Sequence, residues 1–161
     1  MEGKIIHFER KELLDRLSIM IPNSWKQMPK EYARIKYPSE FRPQIIITTA
    51  DLNINMGFTI FTDSIICDDL TKMTERIQSA IHRANPDCRI YPSERLKDRE
   101  GCWFAFRSHA MDSDIYNMML ITLVGRRIMQ GSFNCPYKDY LKWKQIVLMM
   151  WNSILELKMG V

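Results

Sequence analysis

Residues 101–136 read GCWFAFRSHAMDSDIYNMMLITLVGRRIMQGSFNCP, and the fold is decided by how this stretch is divided. Cys102 to Ala110 is rich in aromatic and small apolar residues and reads as a strand. Asp112-Ser113 supplies residues that tolerate hairpin-turn geometry, and Asp114 to Val124 returns as a second strand. Gly125 permits another reversal, after which Arg127 to Asn134 forms a third. A meander this apolar needs a packed layer on at least one face.

With Asp112-Ser113 and Gly125-Arg126 as two-residue turn centres, counting outward assigns the faces, because paired residues share a face. One face carries Trp103, Ala105, Tyr116, Met118, Leu120, Met129 and Phe133, with Arg107 and His109 near its end, and reads as core. The other carries Phe104, Phe106, Ser108, Asn117, Met119, Ile121, Gln130, Ser132 and Asn134. It mixes apolar platforms with unpaired amide and hydroxyl groups, a composition suited to receiving a partner's helix or strand whose backbone or small side chains need partners. The alternative is a helix of this chain over the same face, with the polar groups at its rim. A one-residue change in either turn would exchange the faces.

Beyond Pro136, Tyr137 to about Leu157 has a helical pattern. Tyr140, Trp143, Val147, Met150 and Ile154 form one stripe, and Leu141, Leu148, Trp151 and Leu155 a neighbouring one. This apolar arc is wide enough for a helix seated deep on the sheet, or for one that also meets a partner along one edge, a second copy of the chain included. Before the meander, Asp68 or Asp69 is placed to cap a helix running to about Ala84, with Leu70, Met73, Ile77, Ala80, Ile81 and Ala84 in one stripe. Cys88 to Lys97 reads as a polar edge strand, limited by Pro92. Earlier still, Lys4 to Phe8 is an expected short edge strand and Glu9 to Asp15 is ambiguous between helix and turn. Leu17 to Ile21 is a half-buried strand stopped by Pro22. Lys30 to Lys36 forms a short helix opened by Pro29 and ended before Pro38. Gln44 to Thr49 and Met56 to Phe61 form a second hairpin, with Gly57 marking a bulge or a close approach.

The chain has 161 residues and a formal net charge of +4, which fits one domain spanning 1–161 with a sizeable core. That charge is too mild to point to nucleic acid, and no basic cluster interleaves with aromatics. No secretory leader and no run of about twenty apolar residues is present, so the expected setting is cytoplasmic, without a membrane anchor. Cys67, Cys88, Cys102 and Cys135 lack paired spacing and are expected as reduced, buried thiols. His7, His82 and His109 are scattered, with no metal-ligand spacing. Asp68-Asp69 and Asp112 with Asp114 sit in cap and turn contexts that account for them structurally. There is no phosphate-cradling loop and no nucleophile elbow. No catalytic residue, cofactor or metal is therefore assigned.

The order of elements carries a resemblance. A strand ending in Ile21-Pro22-Asn23-Ser24-Trp25, an early hairpin and a helix precede the block around Met111-Asp112-Ser113-Asp114-Ile115-Tyr116. A long helix closes near Trp151-Asn152-Ser153-Ile154. Together these resemble the PsbP-like superfamily, which includes photosystem II extrinsic subunits, a Ran-binding import factor, DcrB lipoproteins and Eag-type chaperones. The resemblance implies an α+β fold with an antiparallel sheet of about six strands between helices. It also implies a binding or accessory role. Ser113 stands where the family often has a turn glycine, and no lipid-attachment cysteine is present. The expected function is a non-enzymatic, chaperone-like protein-binding module; the alternative is a small-ligand binder or enzyme with a pocket between sheet and helix.

Overall fold

A computed structural model describes residues 5–61 and 70–158. In chain order its elements are β1 (Phe8–Leu13), β2 (Leu17–Pro22), β3 (Lys26–Gln27), α1 (Lys30–Lys36), β4 (Ile45–Thr48) and β5 (Asn55–Ile60). Then follow α2 (Leu70–Ala84), β6 (Arg89–Ile90), β7 (Glu94–Arg95), β8 (Gly101–His109), β9 (Asp114–Val124) and β10 (Arg127–Pro136). A 3-10 turn over Tyr137–Asp139 leads into α3 (Tyr140–Asn152), and β11 (Leu155–Glu156) ends the described chain. All pairings are antiparallel, and the fold class is α+β.

The meander β8–β9–β10 lies inside an eight-stranded sheet of order β3-β4-β5-β10-β9-β8-β6, with β7 also on the outer edge of β8. Its first face is wholly apolar at the centre. Met118, Leu120, Met129 and Phe133 pack with Leu17, Ile19 and Ile21 of β2, and with Trp143, Val147, Met150 and Trp151 of α3. Trp25 joins them, its ring 5.4 Å from that of Trp143. The second face is covered at its two ends. Near β4, α1 sets Ala33 against Met28 and Ile46. Over the other end, Leu70, Met73 and Ile77 of α2 pack on Cys102, Ile121 and Ile128.

Several expectations are corrected here. A second, three-stranded sheet of order β1-β2-β11 exists beside the large one, so the strands exceed the expected six or so. The first strand is Phe8–Leu13 rather than Lys4 to Phe8, and the charged stretch Glu9 to Glu12 belongs to it. Charged side chains suit this edge strand because they project to water on most positions and blunt its open side. β2 is buried rather than half-buried, since it lies between two strands and under α3. The closing helix ends at Asn152, not near Leu157, because Leu155 and Glu156 pair with Ser18 and Leu17. On α2 only the first half of the stripe is seated; Ala80 and Ala84 are exposed. The proposed caps Asp68 and Asp69 lie outside the described residues, as does Cys67. Cys88, Cys102 and Cys135 are free and buried.

The register of the meander follows expectation at one turn and departs from it at the other. Arg127 pairs with Val124, so Gly125-Arg126 is the second turn's centre, and Gly125 takes the left-handed φ of 63° that glycine tolerates. At the first turn the Ala110 amide donates to the Ser113 carbonyl at 3.0 Å, which makes Met111-Asp112 the centre. The shift follows the Asp114 carboxylate, which stands opposite His109. It accepts from Arg107 Nε at 2.6 Å and lies 2.7 Å from His109 Nδ1. Pairing thereby moves by two residues, and a two-residue shift leaves every side chain on its expected face.

Three measurements check this account. The hydrogen bond and charge of Asp114 hold the His109 pKa above its ordinary value, and those of His109 and Arg107 hold Asp114 below its own. The His109 contribution to stability is complete below about pH 6.5 and is lost as pH rises through its raised folded value. That of Asp114 is complete above about pH 4 and is lost as pH falls through its depressed one. A proton-resonance titration should show the His109 pKa falling back toward the ordinary imidazole value in Asp114→Asn; an unchanged titration would refute the pairing. For the helix, Trp151→Ala removes a fully buried ring and should cost about 3–5 kcal/mol in denaturant unfolding. Truncation after Pro136 should leave a molten or insoluble chain, whereas a cooperative, soluble product would contradict the seating of α3.

Candidate functional site

Between the parts of the second face that α1 and α2 cover lies a groove of about 580 Å³. Its floor is the middle of β5, β10 and β9, where Thr59, Gln130, Ser132, Asn134, Asn117 and Met119 face outward. One wall is the segment 37–44 after α1, and Phe61, just beyond β5, also lines the groove. Five of the nine residues expected to meet a partner thus line one surface: Asn117, Met119, Gln130, Ser132 and Asn134. The remaining four are placed otherwise. Phe104 and Ile121 are fully buried, Ile121 beneath α2, while Phe106 and Ser108 continue the face toward the hairpin tip as half-buried positions.

The wall is braced by local hydrogen bonds. Gln44 extends the β4 pairing with its side chain, donating to the Ile60 carbonyl at 3.1 Å and accepting from its amide at 3.0 Å. Arg42 Nε donates to the Tyr37 carbonyl at 3.0 Å. Pro43 lies directly on Gly57, where a Cβ would come within 2.7 Å of the proline ring. That glycine marks a close approach, one of the two readings its place in the sequence suggested. Phe41, at the outer end of the same wall, is 94% exposed.

At the floor, three asparagines from adjacent strands fall in one row, Asn55 opposite Asn134 and Asn134 opposite Asn117. Thr48 Oγ1 donates to Asn55 Oδ1 at 2.8 Å, Asn55 Nδ2 to Asn134 Oδ1 at 3.1 Å, and Asn134 Nδ2 to the Tyr37 hydroxyl at 3.0 Å. Burial pushes the Tyr37 pKa up, against the hydrogen bond from Asn134, so its hydroxyl stays protonated. Asn117 Nδ2 donates to Ser108 Oγ at 2.9 Å. The amides of Asn117 and Asn134 and the Ser108 hydroxyl are therefore not unpaired, as the composition of the face suggested; they hold the floor together. Gln130 and Ser132 differ. Both are half-buried with polar atoms that still reach solvent, and neither side chain bonds to another described residue. Nothing local in the sequence marks this division, because Asn55 reaches Asn134 only through the long-range pairing of β5 with β10.

The other surface expected to make contacts is the closing helix. It buries Trp143, Val147, Met150 and Trp151 and turns Leu141 and Met149 outward, with Gln145 between them. His109 sits exposed at the hairpin tip and is engaged by Asp114. Cys135 is buried, and burial pushes its thiol pKa up to about 12, which leaves it protonated and poorly nucleophilic. No group of three or more potential metal ligands occurs among the described residues, and no described helix is long and apolar enough to cross a membrane.

No family model matches the chain, and no curated protein matches it in sequence. Solved structures do. Cyanobacterial PsbP (CyanoP) from Synechocystis sp. PCC 6803 superposes with a TM-score of 0.68 at 12% identity, over 96% of this chain and 95% of its own. The Saccharomyces cerevisiae Ran-binding protein Mog1p gives 0.61 at 8% identity, over 94% and 96%. LpqN of Mycobacterium tuberculosis, involved in cell envelope biogenesis, gives 0.54 at 10% identity, over 87% and 82%. At such identities the likeness speaks of architecture alone, and the architecture is plain: the chain has the fold shared by PsbP and Mog1p, the PsbP-like fold.

Proposed function

We propose that this protein is a non-enzymatic protein-binding module, chaperone-like in mode, that holds a segment of a partner in the groove between α1 and α2. The observation that carries the reading is the combination of Gln130 and Ser132 with the exposed aromatics Phe41 and Phe61 in one groove. A solvent-facing amide and hydroxyl that the fold does not use are free to bond a ligand. Phe41 and Phe61, the latter 42% exposed, offer flat apolar area at the same groove. A peptide segment presenting backbone or small polar groups between apolar side chains fits this alternation. The braced wall and the asparagine row make the groove preformed, which lowers the ordering cost of binding. A cytoplasmic setting is part of the proposal, supported by three buried free thiols.

The test begins with a photocrosslinking residue at Ser132, and with one at Glu9 on β1 as control, to identify a partner by contact. Binding of that purified partner is then measured by calorimetry. Gln130→Ala should weaken it about three- to tenfold, the equivalent of one hydrogen bond. Phe41→Ala should weaken it tenfold or more while leaving the unfolding midpoint unchanged, since its side chain is solvent-exposed. Unaltered affinity in both variants would remove the groove from consideration.

A further inference from the structure

The opposite face of the sheet carries a second cavity, of about 450 Å³, between the meander and the start of α3. Its origin is a gap in side-chain size. Along β8 the first face presents Trp103, Ala105 and Arg107, and the alanine leaves room where its neighbours fill it. Pro92 and Tyr91 of the β6–β7 connection close one side. Tyr137 and Tyr140 close the other, stacked with their ring centroids 4.8 Å apart. Tyr116 forms the inner end, 5.3 Å from the Tyr140 ring. Glu94 and Lys144, of opposite charge, both stand at the lining, Lys144 over the Trp103 ring at 5.7 Å.

Tyr116 supplies an independent sign of a ligand. The residue is 3% exposed, and its hydroxyl has no hydrogen-bond partner among the described residues. Burial, and then Cys135 beside it, push its pKa well above the ordinary phenol value. It is therefore a neutral donor at any physiological pH. A buried hydroxyl left unbonded is costly, and a fold that needed only packing at this position would be served equally by phenylalanine.

We infer that this cavity is a binding site for a planar aromatic group that carries a hydroxyl or carbonyl oxygen, with the ring over Ala105 and the oxygen accepting from the Tyr116 hydroxyl. Rings of tyrosine, tryptophan and proline on several sides suit a flat guest, which they grip by offset and edge contacts. A cationic guest fits less well: Lys144 is already over Trp103, and the Arg107 guanidinium covers the Tyr137 ring at 3.7 Å. Because the Tyr116 hydroxyl is itself shut off from solvent, binding in this manner requires the half-buried Tyr91 or Tyr140 ring to shift. With Glu94 and Lys144 both present, a polar tail of either sign meets a counter-charge at the lining.

The test uses p-cresol and toluene, which share a shape and differ by one hydroxyl, followed by chemical-shift perturbation on the labelled full chain. p-Cresol should bind about tenfold more tightly than toluene, with shifts centred on Tyr91, Ala105 and Tyr140. Tyr116→Phe, which removes only the unbonded hydroxyl, should fold with an unchanged or higher melting temperature and lose the discrimination while keeping toluene affinity. N-acetyl-L-tyrosinamide separates the sources of such a ring. Binding tighter than that of p-cresol assigns the guest to a partner's tyrosine side chain, and equal or weaker binding assigns it to a free small molecule. Absence of saturable shifts at these residues with p-cresol, or discrimination that survives in Tyr116→Phe, would overturn the site.

Discussion

The structure depends on the two-residue period of three long strands. Side chains on β8, β9 and β10 alternate strictly between faces, so one meander presents two chemically different surfaces. Met118, Leu120, Met129 and Phe133 must leave water together, and a single helix with one strand beside it accomplishes that. The second face carries amides, hydroxyls and a few large apolar groups in the same rows. No single apolar helix covers it without stranding polar atoms. Two helices placed at its ends meet the apolar positions and leave the mixed ones between them. The groove follows from the alternation.

Arg99 shows how the cover on the first face is locked in register. Its guanidinium donates to Thr122 Oγ1 at 3.0 Å, to the Leu123 carbonyl at 2.6 Å and to the Ile154 carbonyl just beyond α3 at 2.8 Å. Burial lowers its pKa, opposed by the charge of Glu156. Two carbonyls and a hydroxyl offset the loss of water around the charge, since hydrogen bonds to ionised groups are worth roughly 1.5–3 kcal/mol each. On the small sheet, Ser153 plays the matching part: its hydroxyl accepts from the Met20 amide at 2.9 Å and its carbonyl accepts from Arg10 at 3.0 Å. The end of α3 is thus tied to both sheets at once, which no amphipathic stripe alone would specify.

Local pattern made the meander, the early hairpin and all three helices legible, because alternation, turn residues and helical spacing act over a few neighbours. The expected faces hold although the first turn centres on Met111-Asp112, because the pairing differs by two residues. What escaped depends on partners far along the chain. β11 has two residues and exists through its pairing with β2, so nothing in Leu155-Glu156 announces it. β1 is written in charges because it lies at an edge, and edge strands lack the alternation that identifies half-buried ones. At the candidate groove, residue types were readable but their bonding was not: Asn117 and Asn134 look as free as Gln130 until β5 and the Tyr37 hydroxyl are placed beside them. The tyrosine cavity assembles side chains from the β6–β7 connection, β8, β9 and the start of α3, and no spacing rule joins these.

The strand order carries a consequence for how the chain is made. β10 lies between β9, its hairpin neighbour, and β5, so Met129 meets Ile60 and Asn134 meets Asn55. β4 and β5 leave the ribosome well before β10 does, and they pair locally at once. Until residues 127–134 emerge, β5 keeps one edge of unsatisfied backbone donors and acceptors, flanked by Met56, Phe58 and Ile60. Such an edge templates strand addition from any extended chain nearby. The nascent protein is therefore most vulnerable to aggregation during the interval between its fifth strand and its tenth, and slow elongation across that interval lengthens the exposure.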